Sequence, residues 1–434
     1  MRSSVNATRL VFLTCSRNRP SELQALDRSI GHFVRWSKTP SAVAWIILDD
    51  STGASSLSIP PVFRCSEVGV AVYVVDSDMH ESIISIIRNA STSPSFLGLF
   101  RSPGTPEWDA AASRNCLSLL ASAMVDPDDL IVWVDDDMVL SATEVEASTA
   151  EFLTIDSGTR PEFGVQEALG LMRDPQVLAA GTRFVGISDQ SIRDHVRIGF
   201  GFDHYPELAQ LSVAWSHGAF PMIVEHVGLL RADLGRRGPG GLSTGFLVTR
   251  PSSIRNRPFF RIYNEDWLWL LMLGPSEQVL RQAETAVVHA PRKGRSIGVQ
   301  ALVQQEVGEV LFDVASSLWG DDSAADIHRF TKRLAASTAL IASRLSERLF
   351  VLECTSHDLD KLARHSRSTL VRVRLRELSA VFREASARLA SADSATLSLT
   401  LDNFAALASQ WERHITAPDI SSHCRGLLTK ARLS

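Results

Sequence analysis

The densest chemistry in the chain is Asp135-Asp136-Asp137, directly after the apolar run LIVWV at 130–134. Hard divalent cations such as Mg²⁺ and Mn²⁺ prefer carboxylate oxygens. Extended backbone through the triplet would put Asp135 and Asp137 on one face and Asp136 on the other. One of the pair can take a metal while the other reaches a ligand hydroxyl or a metal-bound water. The plainer reading is a solvated turn or a helix cap. Three like charges at the end of a buried strand, however, need a compensating cation or a helix N-terminus.

Three further segments carry reactive groups. In Tyr263-Asn264-Glu265-Asp266-Trp267-Leu268-Trp269 two carboxylates lie between aromatics. A carboxylate in apolar surroundings holds a proton more readily and can take one from a hydroxyl. The same residues also read as a helix start, with Asn264 as cap and the acids facing the dipole. Val287-Val288-His289 ends an apolar run and leads into Arg292-Lys293-Gly294-Arg295, a basic cluster suited to phosphate oxygens. Ala111-Ala112-Ser113-Arg114-Asn115 reads as a first helical turn, which can meet a diphosphate through its N–H groups and Arg114.

The elements that must position these groups alternate along the first 300 residues. Leu10–Cys15, Val43–Leu48, Val70–Val75 and Leu130–Val134 are short β-type apolar runs. Helical spacing at 22–34 and 109–124 separates them. Continuous apolar strands between helices predict a mostly parallel sheet buried on both faces. In such sheets ligands gather at the carboxyl ends of the strands, where this chain carries SRNRP (16–20), DDST (49–52), DSD (76–78) and DDD (135–137). Residues 151–260 are less regular and are expected to supply ligand-shaping loops. After residue 300 glycine almost disappears. Val303–Leu318, Ala324–Leu352, Asp358–Ala390 and Leu399–His414 show apolar residues at helical spacing, predicting an all-α bundle. The expected domains are therefore 1–300, α/β, and 301–434, α-helical.

Composition narrows the classes. The chain has 434 residues, 45% of them hydrophobic and 21% charged, which is ordinary for a globular protein. Its 44 basic and 49 acidic residues leave a net charge of −5, which disfavours a nucleic-acid or anionic-membrane coating protein. The five cysteines form no CxxC pair, so neither a disulfide framework nor a zinc ribbon is expected. No run approaches the ~20 apolar residues of a membrane span, and the N-terminus lacks a signal h-region. A cytoplasmic, reducing location is the expectation.

Seven segments occur in an order that resembles GT-A-fold, family 2-like glycosyltransferases: LTCSRNRP, WIILDDST, AAASRNCLSLLASA, VWVDDDMVL, GGLSTGFLVTR, YNEDWLW and VVHAPRKGR. The resemblance covers about the first 300 residues. It implies a Rossmann-like, mostly parallel sheet flanked by helices, and hexosyl transfer from a nucleotide-diphospho-sugar, with UDP favoured by family habit. It implies Mn²⁺ or Mg²⁺ bound through an Asp-x-Asp motif. Asp50 would contact the base or ribose with Asp49 beside it. Arg17, Arg114 and Arg292 would join the nucleotide site, Arg114 near the diphosphate. Asp135 would touch the ribose or a metal-bound water, and Asp135, Asp137 and His289 form the implied metal set. Asp266 would be the general base of an inverting displacement, with Glu265 placing the acceptor.

The acceptor implied is a small molecule or a peptide, without nucleic acid or a membrane span. The helical tail would shape the acceptor site or join a homodimer. A retaining enzyme without a side-chain base is the alternative, as is a non-catalytic nucleotide-sugar-binding protein. A nucleotidylyltransferase should carry a Gly-rich loop after the first strand, and SRNRP has no glycine.

Overall fold

The structure is a computed structural model. It describes residues 9–37, 42–51, 63–91, 93–100, 110–142, 160–186, 242–260, 265–273, 280–289, 299–317, 333, 337–365, 369–392, 407–408 and 410–433. Of the region expected to supply loops, 151–260, residues 151–159 and 187–241 lie outside them, as do Asn264 and the cluster Arg292–Arg295.

Eight strands form one sheet. They are β1 (Arg9–Ser16), β2 (Ala42–Asp49), β3 (Val70–Val75), β4 (Leu130–Val134), β5 (Met138–Val139), β6 (Ala179–Gly186), β7 (Phe246–Thr249) and β8 (Leu280–His289). Their order is β3-β2-β1-β4-β7-β6-β8-β5. The β1–β2, β1–β4, β2–β3 and β6–β8 ladders are parallel. Those of β4–β7, β6–β7 and β5–β8 are antiparallel. The fold is thus α/β, built on a mixed, mostly parallel sheet.

Both faces of the sheet are covered, which is why the strands read as continuous apolar runs. Leu10 and Phe12 of β1 enter one core with Leu23, Leu26, Ile30 and Phe33 of α1 (Pro20–Ser37). Val11 and Leu13 enter the opposite core. That core includes Ile83 and Ile87 of α2 (Ser77–Ala90), and Leu117 and Leu120 of α4 (Ala110–Met124), which follows a single turn, α3 (Pro94–Leu97). Asp76 caps α2 by accepting the Met79 N–H at 2.9 Å. Further along come α5 (Pro161–Leu171), α6 (Pro251–Asn256) and α7 (Glu265–Leu273). The strand order reverses at β1, flanked by β2 on one side and β4 on the other. Such a reversal opens a crevice at the strands' carboxyl ends.

The C-terminal region is helical: α8 (Val299–Ser317), α9 (Thr338–His365), α10 (Thr369–Ala390) and α11 (Pro418–Ala431). The first three pack on one another, and α8 also packs on α7. The sequence placed a break between Leu352 and Asp358, but α9 runs straight through it. The polar stretch there is satisfied across the bundle. Ser356 Oγ donates to the Ser379 carbonyl at 3.1 Å, and Ser379 Oγ donates to the Ser356 carbonyl at 3.0 Å. The neighbouring helix thus answers a local signal for a loop.

Helix α11 leaves the bundle and returns to the sheet, packing on α2, α4 and β3. The Leu433 N–H donates to the Val72 carbonyl at 2.9 Å, and the Trp411 indole N–H to the Ile254 carbonyl at 2.9 Å. Ile420, Cys424, Leu427 and Leu428 lie in the same core as α2 and α4. A chain truncated at residue 417 is therefore expected to lose soluble expression, because the outer faces of α2 and α4 become exposed. Ile420→Ala in the full chain should cost about 2–5 kcal/mol, read from urea melts.

The bundle also buries charge. Arg348 of α9 reaches Glu309 at 3.0 Å and Glu306 at 3.4 Å, both on α8. Burial pushes the Glu306 carboxyl up to about 7 and that of Asp313 to about 6, against the pull of Arg348. Both groups hold protons more tightly folded than unfolded. Their contribution is greatest below the ordinary carboxylate range and is lost as pH rises toward 7. The melting temperature should thus fall between pH 5 and pH 7.5 through these groups. Glu306→Gln should flatten that part of the profile; an unchanged slope would exclude Glu306 as its source.

Candidate active site

The crevice is lined from the ends of β1, β2 and β4. Leu13 pairs with Trp133 and Ser16 with Asp49, so the segments after these strands emerge side by side. After β1 the chain turns through Asn18, whose φ of 56° is left-handed. Asparagine tolerates that region better than most side chains. The Asn18 N–H donates to Ser51 Oγ at 2.7 Å, tying the turn to the end of β2. This reversal sends the two flanking arginines to different partners. Arg17 Nη1 lies 3.9 Å from Asp50 Oδ2. Arg19 Nη1 donates to Asp136 Oδ1 at 2.6 Å and to Asp137 Oδ2 at 3.0 Å. Asp49 and Asp50 are both buried, and burial raises the Asp49 carboxyl although the Ser51 N–H donates to it.

The alternation expected to carry Asp135 and Asp137 to one face stops before the triplet. β4 ends at Val134, and a turn follows in which the Met138 N–H donates to the Asp135 carbonyl at 3.2 Å. A turn breaks the period of two, so neighbouring side chains can face one region. Asp135 Oδ1 accepts from Arg114 Nη2 at 3.0 Å. Asp136 Oδ2 accepts from Ser16 Oγ at 2.8 Å, and its other oxygen takes Arg19. Asp137 shares Arg19 and meets His289 on its second oxygen, Nε2 lying 3.2 Å from Oδ1. The antiparallel pairing of Met138 with His289 brings that histidine to the triplet from a distant part of the chain.

Burial sets the electrostatics. It pushes the Asp136 carboxyl up to about 7, with Arg19 pulling the other way. Burial also acts on Asp137, but His289 and Arg19 outweigh it and hold that carboxyl well below its ordinary range. Asp135 is raised by burial against the pull of Arg114. Beneath the cluster, burial drives the Cys15 thiol up to about 12, which leaves it a packing residue.

Asp266 approaches from α7. Its Oδ2 accepts from the Thr244 N–H at 3.0 Å and from Thr244 Oγ1 at 3.3 Å. The next residue, Gly245, gives its carbonyl to the Asp135 N–H at 3.0 Å. One short turn therefore joins Asp266 to the acidic triplet, and the charge of Asp266 is felt at both Arg114 and Asp135. The tryptophans after Asp266 anchor the helix. Trp269 stacks on Phe259 at 5.0 Å between ring centroids, and Trp267 packs edge-on against Phe312 at 4.8 Å. Asn115, beside Arg114, is a structural clip: it donates to the Phe259 carbonyl at 2.8 Å and accepts the Phe259 N–H at 2.8 Å.

Asp49, Asp50, Arg17, Arg114, Asp135, Asp137, His289 and Asp266 thus meet at one end of the sheet. Glu265 opens α7, but its side chain lies outside the described residues, as does all of Arg292. Sequence reasoning passed over Ser16, Arg19 and Thr244. SRNRP drew attention to Arg17, although Arg19, next to the proline that starts α1, is the residue that reaches the triplet.

Among the described residues no group of three or more His, Cys, Asp or Glu is arranged to hold a metal by itself. Asp137 and His289 form a two-ligand set. Mg²⁺ commonly takes one or two protein ligands and fills its shell with water and phosphate oxygens. Neighbouring ligands on an octahedral ion at ~2.1 Å are about 3 Å apart, which matches the 3.2 Å between this oxygen and nitrogen. Among the described residues Asp135, Asp136 and Asp137 share the guanidinium groups of Arg19 and Arg114, and a bound cation would add positive charge there.

No family model matches the chain, and no curated protein matches it. Among solved structures it is similar to a glucosyl-3-phosphoglycerate synthase of M. tuberculosis, with 12% identity, 73% of this chain and 82% of that one covered, and a TM-score of 0.40. A mannosyl-3-phosphoglycerate synthase from Rubrobacter xylanophilus gives 12% identity, 72% and 74% coverage, and a TM-score of 0.38. The M. tuberculosis glucosyl-3-phosphoglycerate synthase in complex with Mg²⁺ and UDP gives 13%, 73%, 81% and 0.38. Likeness at this level assigns no residue of this chain a role.

Proposed function

We propose that the chain is a GT-A-type, metal-dependent glycosyltransferase that moves a sugar from a nucleotide-diphospho-sugar, UDP-linked by preference, to a small-molecule or peptide acceptor. The observation that carries this reading is the meeting of Asp137 with His289 at the point where the strand order reverses, with Arg114 and Asp266 alongside. Asp137 and His289 would hold Mg²⁺ or Mn²⁺. When bound, that ion supplies Lewis-acid stabilisation of the negative charge on the leaving nucleoside diphosphate. Arg114, kept in place by Asp135, lends a fixed positive charge on the same side. Asp49, Asp50 and Arg17 line the β1–β2 end, where the base and ribose would lie.

In the inverting form of the reaction Asp266 takes the proton from the acceptor hydroxyl. The new bond forms at the anomeric carbon, while the bond to phosphate oxygen breaks with its electron pair going to the diphosphate. A second reading has one observation in its favour. Main-chain N–H groups of Thr244 and Trp267 occupy both oxygens of Asp266, which makes this carboxylate a clasp as well as a candidate base. A retaining transfer without a side-chain base accommodates that clasp.

The test is calorimetry of UDP, GDP and UMP with and without Mn²⁺, followed by acceptor-free hydrolysis of UDP-hexoses. Metal-dependent UDP binding with slow hydrolysis supports the enzyme. Metal-dependent binding with no turnover on any donor supports a non-catalytic sugar-nucleotide binder, and no binding removes the proposal.

A further inference from the structure

We propose that Arg19 is an exchangeable internal cation: it holds Asp137 until a divalent ion takes that carboxylate, and Asp136 then keeps it in place to meet the diphosphate. This rests on the functional reading above and gives it a residue that the sequence did not single out.

Three observations point this way. A single guanidinium nitrogen, Nη1, bridges Asp136 at 2.6 Å and Asp137 at 3.0 Å, so the two carboxylates share one positive charge. Asp137 also faces His289, whereas the second oxygen of Asp136 is tied to Ser16 Oγ at 2.8 Å. A cation arriving between His289 and Asp137 Oδ1 places a second positive charge on the carboxylate whose Oδ2 holds Arg19, which weakens that contact by repulsion and leaves the contact with Asp136 intact. Finally, the Arg19 side chain is 23% exposed while those of Asp136 and Asp137 are 4% and 3% exposed. Of these three residues Arg19 is the one that reaches solvent. Among the described residues its hydrogen bonds run through Nη1 alone, so Nη2 and Nε remain to donate to a ligand. A planar fork of N–H donors suits phosphate oxygens.

The arrangement has a physical purpose. Without a counter-ion, two adjacent buried carboxylates would repel and their loop would not keep its shape. Arg19 supplies one such charge, and the one that both carboxylates share. The β1 loop carries it into the crevice, and the left-handed turn at Asn18 aims it. Under this proposal Asp136 is a positioning residue for Arg19, not a metal ligand.

Binding rather than turnover tests it. Mn²⁺ affinity is measured by electron paramagnetic resonance without nucleotide, and UDP and UMP affinities by calorimetry with and without Mn²⁺. Arg19→Gln should tighten Mn²⁺ several-fold, because its competitor is gone. The same variant should weaken UDP roughly tenfold to a hundredfold while changing UMP much less, as expected for loss of a charged hydrogen bond to the terminal phosphate. Asp136→Asn should leave metal-free UDP affinity near wild type and weaken UDP only when Mn²⁺ is present. A purely structural Asp136 would not produce that split. Should Arg19→Gln fail to fold, Arg19→Lys retains the charge and should keep Mn²⁺ competition while losing part of the UDP affinity. Unchanged Mn²⁺ and UDP affinities in Arg19→Gln, or equal losses on UDP and UMP, would overturn the proposal. A wild-type protein that binds no nucleoside diphosphate overturns the functional reading itself, a result separable from a change confined to the Arg19 variants.

Discussion

Asp137→Ala is expected to abolish sugar transfer and to remove the Mn²⁺ dependence of nucleotide binding. The geometry makes this the most damaging single change in the crevice. Asp137 is the only one of the three adjacent aspartates with an oxygen turned toward His289, at 3.2 Å, and that pair is the proposed metal set. Its removal also leaves His289 and Arg19 with one carboxylate fewer. Loss of one preorganised electrostatic group commonly lowers turnover by about 10²–10³-fold. Here the metal leaves with it, so activity should fall below detection. Asp135→Ala should hurt nearly as much, because it releases Arg114. Asp136→Ala should hurt less, acting only through Arg19. The assay is turnover of a UDP-hexose, read beside UDP affinity at increasing Mn²⁺. Normal transfer by Asp137→Ala, or loss confined to Asp136→Ala, would place the metal elsewhere.

Asp266→Asn should lower transfer by roughly 10²–10⁴-fold, the usual contribution of a positioned general base, while UDP and Mn²⁺ affinities stay near wild type. A hydroxyl acceptor is a poor nucleophile at neutral pH. Asp266 is the carboxylate that reaches the crevice from the side opposite β1 and β2, through the turn at Thr244. Asparagine keeps the shape and one acceptor oxygen but can no longer take a proton. It also loses one of the two oxygens that receive N–H donors from Thr244 and Trp267, at about 1 kcal/mol. A melting curve separates this stability loss from the catalytic one. Near-normal turnover, or a product that keeps the donor's anomeric configuration, would favour a retaining mechanism with Asp266 as a clasp. The acceptor atom must be known first, since a thiol partly ionises near neutral pH and needs less help.

Side-chain periodicity makes the first part of the fold legible in the sequence. Runs such as VFLTC and LIVWV have no polar face because both sides of the sheet are covered. The polar clusters after them mark strand ends because charge is tolerated only where the core stops. Arg114, Asp135, Asp137, Asp266 and His289 stood out by residue type and position, and the family resemblance added Asp50 and the roles expected of all six. The helical character of the C-terminal region was equally plain from its apolar spacing.

What the sequence could not determine was anything that depends on two distant segments meeting. The aspartate triplet looked like a continued strand, with Asp135 and Asp137 on one side. The chain instead turns after Val134, so Asp136 and Asp137 share Arg19 while Asp135 takes Arg114. Arg17 and Arg19 are two residues apart and indistinguishable by type, and a single left-handed residue between them decides which reaches the triplet. The break expected near Ser356 is filled by Ser379 of another helix. Helix α11, which lies beyond the last segment that apolar spacing singled out, packs on α4, α2 and β3 and joins their core. Local propensity and period are properties of neighbours along the chain and are written in it directly. Partner choice among like residues depends on loop-closing geometry and on which buried charges are compensated, and only the folded arrangement supplies both.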